Sequence, residues 1–187
     1  RRTKDDPARA ADAALYLDMF DKWFRGQTKA NWDDPTGTTW KNPFMDDMEW
    51  NVITMLNLYE NHPDKTDANA QEYLSTAKQV WDDWIWTEWS DLAGGGILWS
   101  KSEAPSKNAC SNGPGSVIAC KLSMLLDNQA DKDKYLEQAK KIYWWQRSVL
   151  YDATSGQVYD NINAQGNIST VSLTYNQGTV LGTAHLL

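Results

Sequence analysis

Apolar residues recur three and four positions apart along most of this chain, which is the spacing of an α-helix that packs one face on a core. Within residues 46–61, for example, Met48, Val52 and Met55 follow this period. The same spacing predicts helices over residues 7–25, 67–89, 107–127 and 131–150, and a sixth helix that begins near Thr174. The pattern therefore predicts an all-α fold with essentially no extended sheet.

Two of the predicted helices carry a further expectation. Residues 7–25 show two separate lines of apolar side chains, so we expect this helix to be packed between neighbours on both faces. Residues 107–127 contain Pro114, and a proline inside a helix removes a backbone donor and clashes with the preceding turn. We therefore expect the fourth helix to be interrupted near this proline.

Short polar links alternate with long segments between the predicted helices. Residues 61–64 form a short link, whereas residues 26–45, 90–106 and 152–173 are long. In stacked helical hairpins this alternation places the long loops at one rim, where functional residues usually lie. The candidate residues at junctions between a long segment and a helix are Asp46, Asp47, Trp99, Asn108, Asn112, Tyr175, Asn176 and Gln177. We expect these residues to converge on one rim.

The last predicted helix ends on apolar residues, with neither a glycine cap nor a basic last turn. These residues are Val180, Leu181, Ala184, Leu186 and Leu187. We therefore expect residues 1–187 to belong to a larger helical assembly. On their own they would expose a large apolar surface, which predicts association or loss of activity.

The composition of the chain excludes several kinds of partner and site. The 187 residues carry a formal net charge of −7, whereas proteins that bind nucleic acid neutralise phosphates with clustered lysine and arginine. No apolar run approaches the roughly 18 residues that a membrane-spanning helix needs. The chain has two histidines and two cysteines, too few for most metal sites and Ser/His mechanisms. We expect a neutral substrate, no cofactor and no nucleic-acid partner.

Cysteine and tryptophan add two further expectations. If Cys110 and Cys120 lie on one unbroken helix, they are about 15 Å apart, too far for a disulfide, so we expect free thiols. A break of the helix at residues 113–115 would change this distance. Tryptophan is unusually frequent, at 11 of 187 residues. Indole faces stack on the C–H faces of sugar rings, but they also fill the space between helices. We expect most of the tryptophans in the core and a few in a sugar-binding cleft.

Asp46 and Asp47 stand at the start of the predicted helix over residues 46–61. Acidic side chains at this position commonly cap free N–H groups and interact favourably with the helix dipole, so the pair is a weak signal by itself. One carboxylate suffices for capping, however, and a second adjacent one adds repulsion. Close carboxylates drive their pKa values apart and leave one ionised nucleophile and one protonated acid, as glycoside hydrolysis requires. Retaining enzymes hold the two groups about 5 Å apart, which successive side chains at a helix start can reach.

Five segments carry a family resemblance when they are taken in order. They are residues 45–50 (MDDMEW), 86–99 (WTEWSDLAGGGILW), 107–113 (KNACSNG), 156–160 (GQVYD) and 174–178 (TYNQG). Together they span nearly the whole chain, and the ordered set resembles glycoside hydrolase family 76, the α-1,6-mannanases. The resemblance implies an (α/α)6 barrel with its substrate cleft at one rim. Residues 1–187 would then form about the N-terminal half of a single catalytic domain, without the C-terminal half of the barrel.

The resemblance also implies an activity. The family acts on α-1,6-linked mannan backbones, which implies an endo-acting, retaining hydrolase with Asp46 as nucleophile and Asp47 as general acid/base. A mannan polymer lies outside the cytoplasm, so the expected placement is secreted, cell-surface or periplasmic. Two alternatives stay open. One is a transglycosylase of the same family with the same catalytic pair, and the other is a non-catalytic glycan-binding domain on the same fold.

Several rim residues have both a substrate-binding and a structural interpretation. The candidate substrate-binding residues are Trp99, Asn108, Asn112, Asp160, Tyr175, Asn176 and Gln177. The tryptophan is either a stacking platform for a sugar or an anchor for its loop. The first two asparagines either contact sugar hydroxyls or cap a helix, and the aspartate either accepts from hydroxyls or forms an Asx turn.

Two other features have competing interpretations. The three glycines at residues 94–96 either form a flexible linker or let the backbone approach a bound sugar closely, and we favour the second. Glu88 would be the substitute carboxylate if the aspartate pair were structural, whereas its position at a helix end is more typical of an ion pair.

Overall fold

The structure is a computed structural model, and it describes residues 10–27 and 40–187. Six α-helices contain most of the described residues. They are α1 (Ala10–Gln27), α2 (Met45–Asn61), α3 (Ala68–Val80), α4 (Ala109–Leu125), α5 (Gln129–Val149) and α6 (Thr174–Leu186). After α3 the chain continues through a π-helical turn at Trp81–Ile85 and a 3-10 turn at Trp86–Glu88. Each helix lies where the apolar spacing predicts one, so the predicted helical class is confirmed.

Helix α4 occupies the centre of the packing. It contacts α2, α5 and α6, while α2 also packs against α3. The buried residues of α4 are Ala109, Cys110, Ser111, Asn112, Gly113, Pro114, Gly115, Ser116, Ile118, Ala119, Cys120 and Leu122. Half of them are glycine, alanine or serine, and these small side chains allow neighbouring helices to approach closely. Helices α2, α4 and α6 therefore form one row, with α3 packed on α2 and α5 packed on α4.

The expected interruption of the fourth helix is wrong. Helix α4 runs from Ala109 to Leu125 with Pro114 inside it. A proline in a helix interior costs one backbone hydrogen bond and introduces steric strain. Pro114 is buried where α4 is packed against three other helices, and this packing stabilises the helix across the proline.

A small sheet also departs from the expectation of an all-helical chain. Three short strands form it in the order β1 (Ser106–Asn108), β2 (Asn161–Asn163) and β3 (Ile168–Ser169), and both pairings are antiparallel. Lys107 pairs with Ile162, which pairs in turn with Ile168. The sheet joins two long loops and satisfies part of their backbone hydrogen-bonding capacity. Strands of two or three residues are too short to produce a recognisable alternation in the sequence.

Among the described residues, helix α1 is packed on one side and exposed on the other. Phe24 is buried against Trp40 and Tyr73, with ring centroids 5.4 and 4.9 Å away. Several apolar side chains of the same helix are exposed, namely Leu15, Tyr16, Met19 and Phe20. The expectation that both apolar faces are packed is therefore wrong for the described residues, because only the last turns of α1 reach the core. No described helix is long and apolar enough to cross a membrane.

The helices of the central row begin at the same end of the molecule. Met45, the first residue of α2, donates its N–H to the carbonyl of Trp99 at 2.9 Å. Ala109, the first residue of α4, donates to the carbonyl of Asp160 at 2.7 Å. The side-chain amide of Asn176, in the first turn of α6, donates to the carboxylate of Asp160 at 3.2 Å. The starts of α2, α4 and α6 thus meet the long loops at one rim, which the alternation of loop lengths predicts.

The close contact between α4 and α6 depends on Gly113. A Cβ atom at this position would lie 2.7 Å from the Cβ of Thr179 and closer still to its hydroxyl. We predict that Gly113→Ala lowers the free energy of unfolding of the whole protein by about 1–3 kcal/mol, because the two helices must separate. Thermal or denaturant unfolding measures this effect.

Gly182 provides the matched control for this prediction. A Cβ atom there would lie 3.6 Å from Val117, which is ordinary van der Waals contact on the opposite side of the same interface. Gly182→Ala should leave stability unchanged or raise it by up to about 1 kcal/mol, since alanine is the better helix former. Equal effects of the two substitutions would contradict close packing at Gly113.

Candidate active site

Asp46 and Asp47 lie in the first turn of α2 but do not cap it. The N-cap residue is Phe44, which makes no side-chain capping bond, and the first N–H of the helix is satisfied by the Trp99 carbonyl. Asp46 is partly buried and Asp47 is exposed. The two adjacent carboxyl groups therefore stand in different environments, one within the protein and one at its surface.

Burial and charge both act on Asp46. Loss of solvent raises the pKa of its carboxyl above the usual range, and the neighbouring charge of Asp47 raises it further. Hydrogen bonds from the Cys110 thiol and from the backbone N–H groups of Asp46 and Asp47 act in the opposite direction. Among the described residues, the buried Oδ1 atom of Asp46 has no hydrogen-bond partner. One face of this carboxylate is thus fixed by the protein and one oxygen is unpaired.

Cys110 is a residue whose contribution the sequence did not reveal. Cys110 and Cys120 are both free and buried, which confirms the predicted thiols. Burial raises the pKa of the Cys110 thiol, and the negative charge of Asp46 raises it further. The thiol therefore stays protonated at neutral pH beside the Asp46 carboxylate.

Glu49 is a second such residue, one turn along α2 from Asp46. Its side chain is fully buried, and neither carboxyl oxygen has a hydrogen-bond partner among the described residues. Burial raises the pKa of Glu49 well above its usual range, and the charge of Asp46 adds to this. Gly115 of α4 leaves the space for it, since a Cβ there would lie 3.0 Å from the glutamate Oε1. Glu49 is therefore held as an uncharged carboxylic acid beneath the rim.

The apolar pattern of α2 indicates that Glu49 is buried. The buried residues of α2 that surround it in sequence are Met45, Met48, Val52, Met55 and Leu56. A glutamate in the middle of this stripe must point into the core along with its neighbours. Acidic residues are almost never fully buried without a partner, so such a position indicates a special environment.

Asp160 and Tyr175 lie at the same rim as Asp46. The carboxylate of Asp160 accepts from the side-chain amides of Asn161 at 2.8 Å and Asn176 at 3.2 Å, so it is held in one orientation. Tyr175 is 46% exposed. The pKa of its hydroxyl is raised mainly by burial, and the negative charges of Asp160 and Asp46 raise it further. The Tyr175 hydroxyl therefore lies within electrostatic reach of both carboxylates.

Trp99 and Asn108 are close to this cluster and partly exposed. The Trp99 ring lies 5.1 Å from the ring of Phe44, and its backbone positions the start of α2. Asn108 occupies the N-cap position of α4 but makes no capping bond with its side chain. The oxygen of its side-chain amide accepts from the Ser106 hydroxyl at 2.8 Å instead.

The structure gives Asn112 and Gln177 structural contacts in place of the expected sugar contacts. Asn112 is fully buried and pairs with both backbone groups of Ile97, at 2.8 and 3.0 Å. The side chain of Gln177 pairs in the same way with both backbone groups of Val158, at 2.9 and 2.8 Å. Each amide is occupied on both sides, so each holds a long loop against its helix. Asn176 is also buried, and it orients Asp160.

The glycines at residues 94–96 approach a protein side chain rather than an open cleft. All three have positive φ values, and a Cβ at Gly96 would lie 2.9 Å from the ring of Trp145. The carbonyl of Gly96 accepts from the ammonium group of the buried Lys107, which also donates to the Ser90 carbonyl and hydroxyl. Burial lowers the pKa of Lys107 to about 8. The favoured sugar-binding role of the glycines is therefore replaced by a role in loop packing.

Glu88 forms an ion pair, as its position at a helix end indicates, and is not a free carboxylate at the rim. Its partner is Lys101, at 2.9 Å. Among the described residues, no group of three or more histidine, cysteine or acidic side chains is placed to bind a metal ion. Asp46 and Asp47 lie at the start of α2, at the rim that also carries Asp160 and Tyr175.

Glu49 allows the electrostatics of the site to be tested. A folded-state pKa raised above the unfolded value means that the neutral acid is stabilising below about pH 4.5 and that this contribution is lost as pH rises. Glu49→Gln removes the titration. We predict that the stability of the variant relative to the parent increases with pH, by about 1.4 kcal/mol per unit between the two pKa values.

Melting curves of the whole protein between pH 4 and pH 8 measure this difference. Glu103→Gln is the control, because it makes the same substitution at an exposed surface position. A constant difference between parent and Glu49→Gln across this range would show that Glu49 is not held uncharged.

Comparisons with known proteins identify the family of the chain. The sequence model of Glycosyl hydrolase family 76 matches residues 6–187. A Schizosaccharomyces pombe protein described as a candidate mannan endo-1,6-alpha-mannosidase is 27% identical over 147 residues, which cover 74% of this chain and 32% of that protein.

Two solved structures have the same fold. The GH76A α-1,6-mannanase of Salegentibacter sp. HEL1_6 superimposes with a TM-score of 0.70 and 34% identity, covering 94% of this chain and 53% of that one. An inactive variant of the same enzyme, with two consecutive aspartates replaced by asparagine and α-1,6-mannotriose bound, gives a TM-score of 0.69 and 34% identity. It covers 91% of this chain and 53% of that one.

The chain thus spans about half the length of these solved mannanases and about a third of the yeast relative. Its helices form part of the fold of those enzymes. Because the family model matches nearly the whole sequence, from residue 6 to residue 187, this chain belongs to Glycosyl hydrolase family 76.

Proposed function

We propose that the whole protein is an endo-acting, retaining α-1,6-mannanase in which Asp46 is the nucleophile and Asp47 the general acid/base. The observation that carries this proposal is the contrast within the pair. Asp46 is partly buried and held by a thiol and by backbone N–H groups, whereas Asp47 beside it is exposed. Activity on mannan outside the cytoplasm further implies a secreted, cell-surface or periplasmic protein.

The inactive mannanase variant supports the choice of this pair, because two consecutive aspartates were replaced in it. The described residues contain two such pairs, Asp46–Asp47 and Asp82–Asp83. Asp82 accepts hydrogen bonds from Lys78, Lys134 and Tyr135. Its carboxylate is neutralised by these partners, in the π-helical turn that follows α3. Asp46–Asp47 is therefore the pair suited to catalysis.

The environments of the two carboxyl groups support the order of their roles. A nucleophile acts best when it is held rigidly and is poorly solvated, and Asp46 meets both conditions. A general acid/base must exchange protons with solvent in each cycle, and the exposed Asp47 can do so.

The reaction follows in two displacements. In the first, an Asp46 oxygen forms a bond to the anomeric carbon while the glycosidic C–O bond breaks, and Asp47 gives its proton to the departing oxygen. In the second, Asp47 takes a proton from water, whose oxygen attacks the same carbon and breaks its bond to Asp46. Each step inverts the anomeric centre, so the product retains the original configuration.

Four other rim residues are proposed to contact the sugar. Tyr175 and Asn108 are exposed or partly exposed and carry polar groups suited to hydroxyls. Asp160 is oriented by two amides, and Trp99 presents an aromatic ring beside the start of α2. A transglycosylase would use the same groups and replace water with an acceptor sugar. Product analysis with and without added acceptor distinguishes the two activities.

The catalytic pair is tested by substitution in the whole protein. Asp46→Ala should abolish hydrolysis of every α-1,6-mannan substrate, because no glycosyl-enzyme can form, and azide should partly replace the missing carboxylate. Asp47→Ala should lower mannan hydrolysis by several orders of magnitude yet accumulate glycosyl-enzyme from an activated aryl mannoside, whose leaving group needs no proton. Steady-state rates and mass spectrometry of the intermediate measure these effects.

Asp83→Ala is the matched control, since Asp83 is the exposed second member of the other aspartate pair. It should leave turnover near the parent value. If Asp46 and Asp47 were merely structural, their replacement would cost about 1 kcal/mol of stability and leave turnover largely intact. That result would refute the assignment and favour a non-catalytic glycan-binding domain.

The pH profile tests the contact between Cys110 and Asp46. The thiol lowers the pKa of Asp46, so Cys110→Ala should raise it. Since kcat/KM requires ionised Asp46, we predict that its acidic limb moves to higher pH in this variant. Cys120→Ala is the control, because burial alone raises the pKa of that thiol and no charge of the site acts on it. Identical acidic limbs in the two variants would contradict a role for the Cys110 thiol.

A further inference from the structure

A groove lies on the outer side of the rim, between α5 and the loop that follows the 3-10 turn. One wall is formed by Lys141, Trp144 and Ser148 of α5, and the other by Trp89 and Gly94. Its volume is about 770 Å³, within the range of small-molecule binding sites. Every residue that lines it belongs to the described part of the chain.

The exposure of Trp144 is unusual in this protein. Its side chain is 63% exposed, whereas Trp50, the next most exposed of the described tryptophans, is 42% exposed. The remaining described tryptophans are buried or partly buried. Trp144 is supported from one side by Tyr143, whose ring lies 5.3 Å away in an edge-on arrangement. It therefore presents a large aromatic surface to the groove.

Two of the tryptophans that line the groove, Trp89 and Trp145, are held by contacts beneath it. Trp89 is the outermost member of a stack in which Trp86 lies 5.3 Å from it and Trp81 lies 6.0 Å from Trp86. Trp145 donates its indole N–H to the Ala93 carbonyl at 3.0 Å. Because these rings are already fixed, a ligand would not lose binding energy by ordering them.

Polar groups surround the aromatic rings. Lys140 pairs with Glu137 at 2.9 Å, and the ammonium group of Lys141 lies 5.9 Å from the centre of the Trp89 ring. Hydrogen-bonding groups at the edge of aromatic surfaces suit a pyranose, which has C–H faces and a border of hydroxyl groups. A purely apolar partner would leave these charged groups to be desolvated without compensation.

One loop connects the groove to the catalytic pair. It begins at Trp89 in the groove and ends at Trp99, whose carbonyl accepts from the first N–H of α2 beside Asp46. Asn112 and Lys107 bind this loop from beneath at Ile97 and Gly96. The groove and the start of α2 are thus joined by one loop that is held from beneath.

We propose that this groove is a second glycan-binding site, which holds a segment of the mannan chain away from the bond that is cleaved. The identity of the glycan rests on the proposed function. A polymer bound at both places is held by two contacts, and the second one raises its effective concentration at the first. A short oligosaccharide engages the active site only and gains nothing from the groove.

Trp144→Ala in the whole protein tests the proposal. It should raise KM for long-chain α-1,6-mannan by about three- to tenfold, as expected for the loss of one aromatic contact. Its kcat, and its kcat/KM for α-1,6-mannotriose, should equal those of the parent. Trp144→Phe, which keeps an aromatic face, should restore much of the affinity for the polymer.

Met124→Ala is the matched control, because Met124 is 61% exposed near the end of α4 and lies outside the groove. Binding is measured separately by affinity electrophoresis in mannan gels with the Asp46→Asn, Asp47→Asn double variant. Adding Trp144→Ala to this variant should weaken its retention.

If the parent hydrolyses mannan but Trp144→Ala matches Met124→Ala in KM and retention, the second site is refuted and the proposed function stands. Equal losses on mannotriose and polymer, or a lowered melting temperature, would show that Trp144 is a packing residue. A parent that neither hydrolyses nor binds mannan would overturn both proposals.

Discussion

The close packing of α4 against three other helices is the constraint on which the rest of the structure depends. Small residues line its buried surface, and a Cβ at Gly113 would collide with Thr179 of α6. On another face, Gly115 leaves room for the carboxyl group of Glu49. The same approach brings Cys110 to Asp46. A wider spacing between these helices would separate the thiol from the carboxylate and open the buried acid to water.

The site concentrates acidic groups where solvation is poor. Burial raises the pKa values of Asp46 and Glu49, and the interaction between the two groups raises that of Glu49 further. A buried carboxyl group without a partner is destabilising in its charged form. This cost falls beside the groups proposed for catalysis, which is a common compromise between stability and activity in enzymes.

The long loops are held by side chains that resemble substrate-binding residues. Asn112 and Gln177 each bind both backbone groups of a loop residue, and Lys107 binds two backbone carbonyls and a hydroxyl from a buried position. These contacts replace the regular secondary structure that the loops lack. They also explain why the sequence positions of these polar residues predict sugar contacts. An asparagine or glutamine near a helix end can bind either a backbone group or a sugar hydroxyl, and the sequence is the same in both cases.

The sequence by itself determined the helices, their alternation with long loops, the free thiols, the family and the position of Asp46–Asp47 at one rim. These features follow from local periodicity, from distances along a helix and from ordered motifs, all of which depend on neighbours in the chain. Only the tertiary structure decided that α4 continues through Pro114 and that Asn112 and Gln177 face backbone. It also decided that Cys110 acts on Asp46 and that Asp46 acts on the buried Glu49. It also decided that Trp144 is exposed while Trp145 beside it is buried. These properties depend on which groups from distant segments approach each other, and on how much water they exclude, which no local pattern contains.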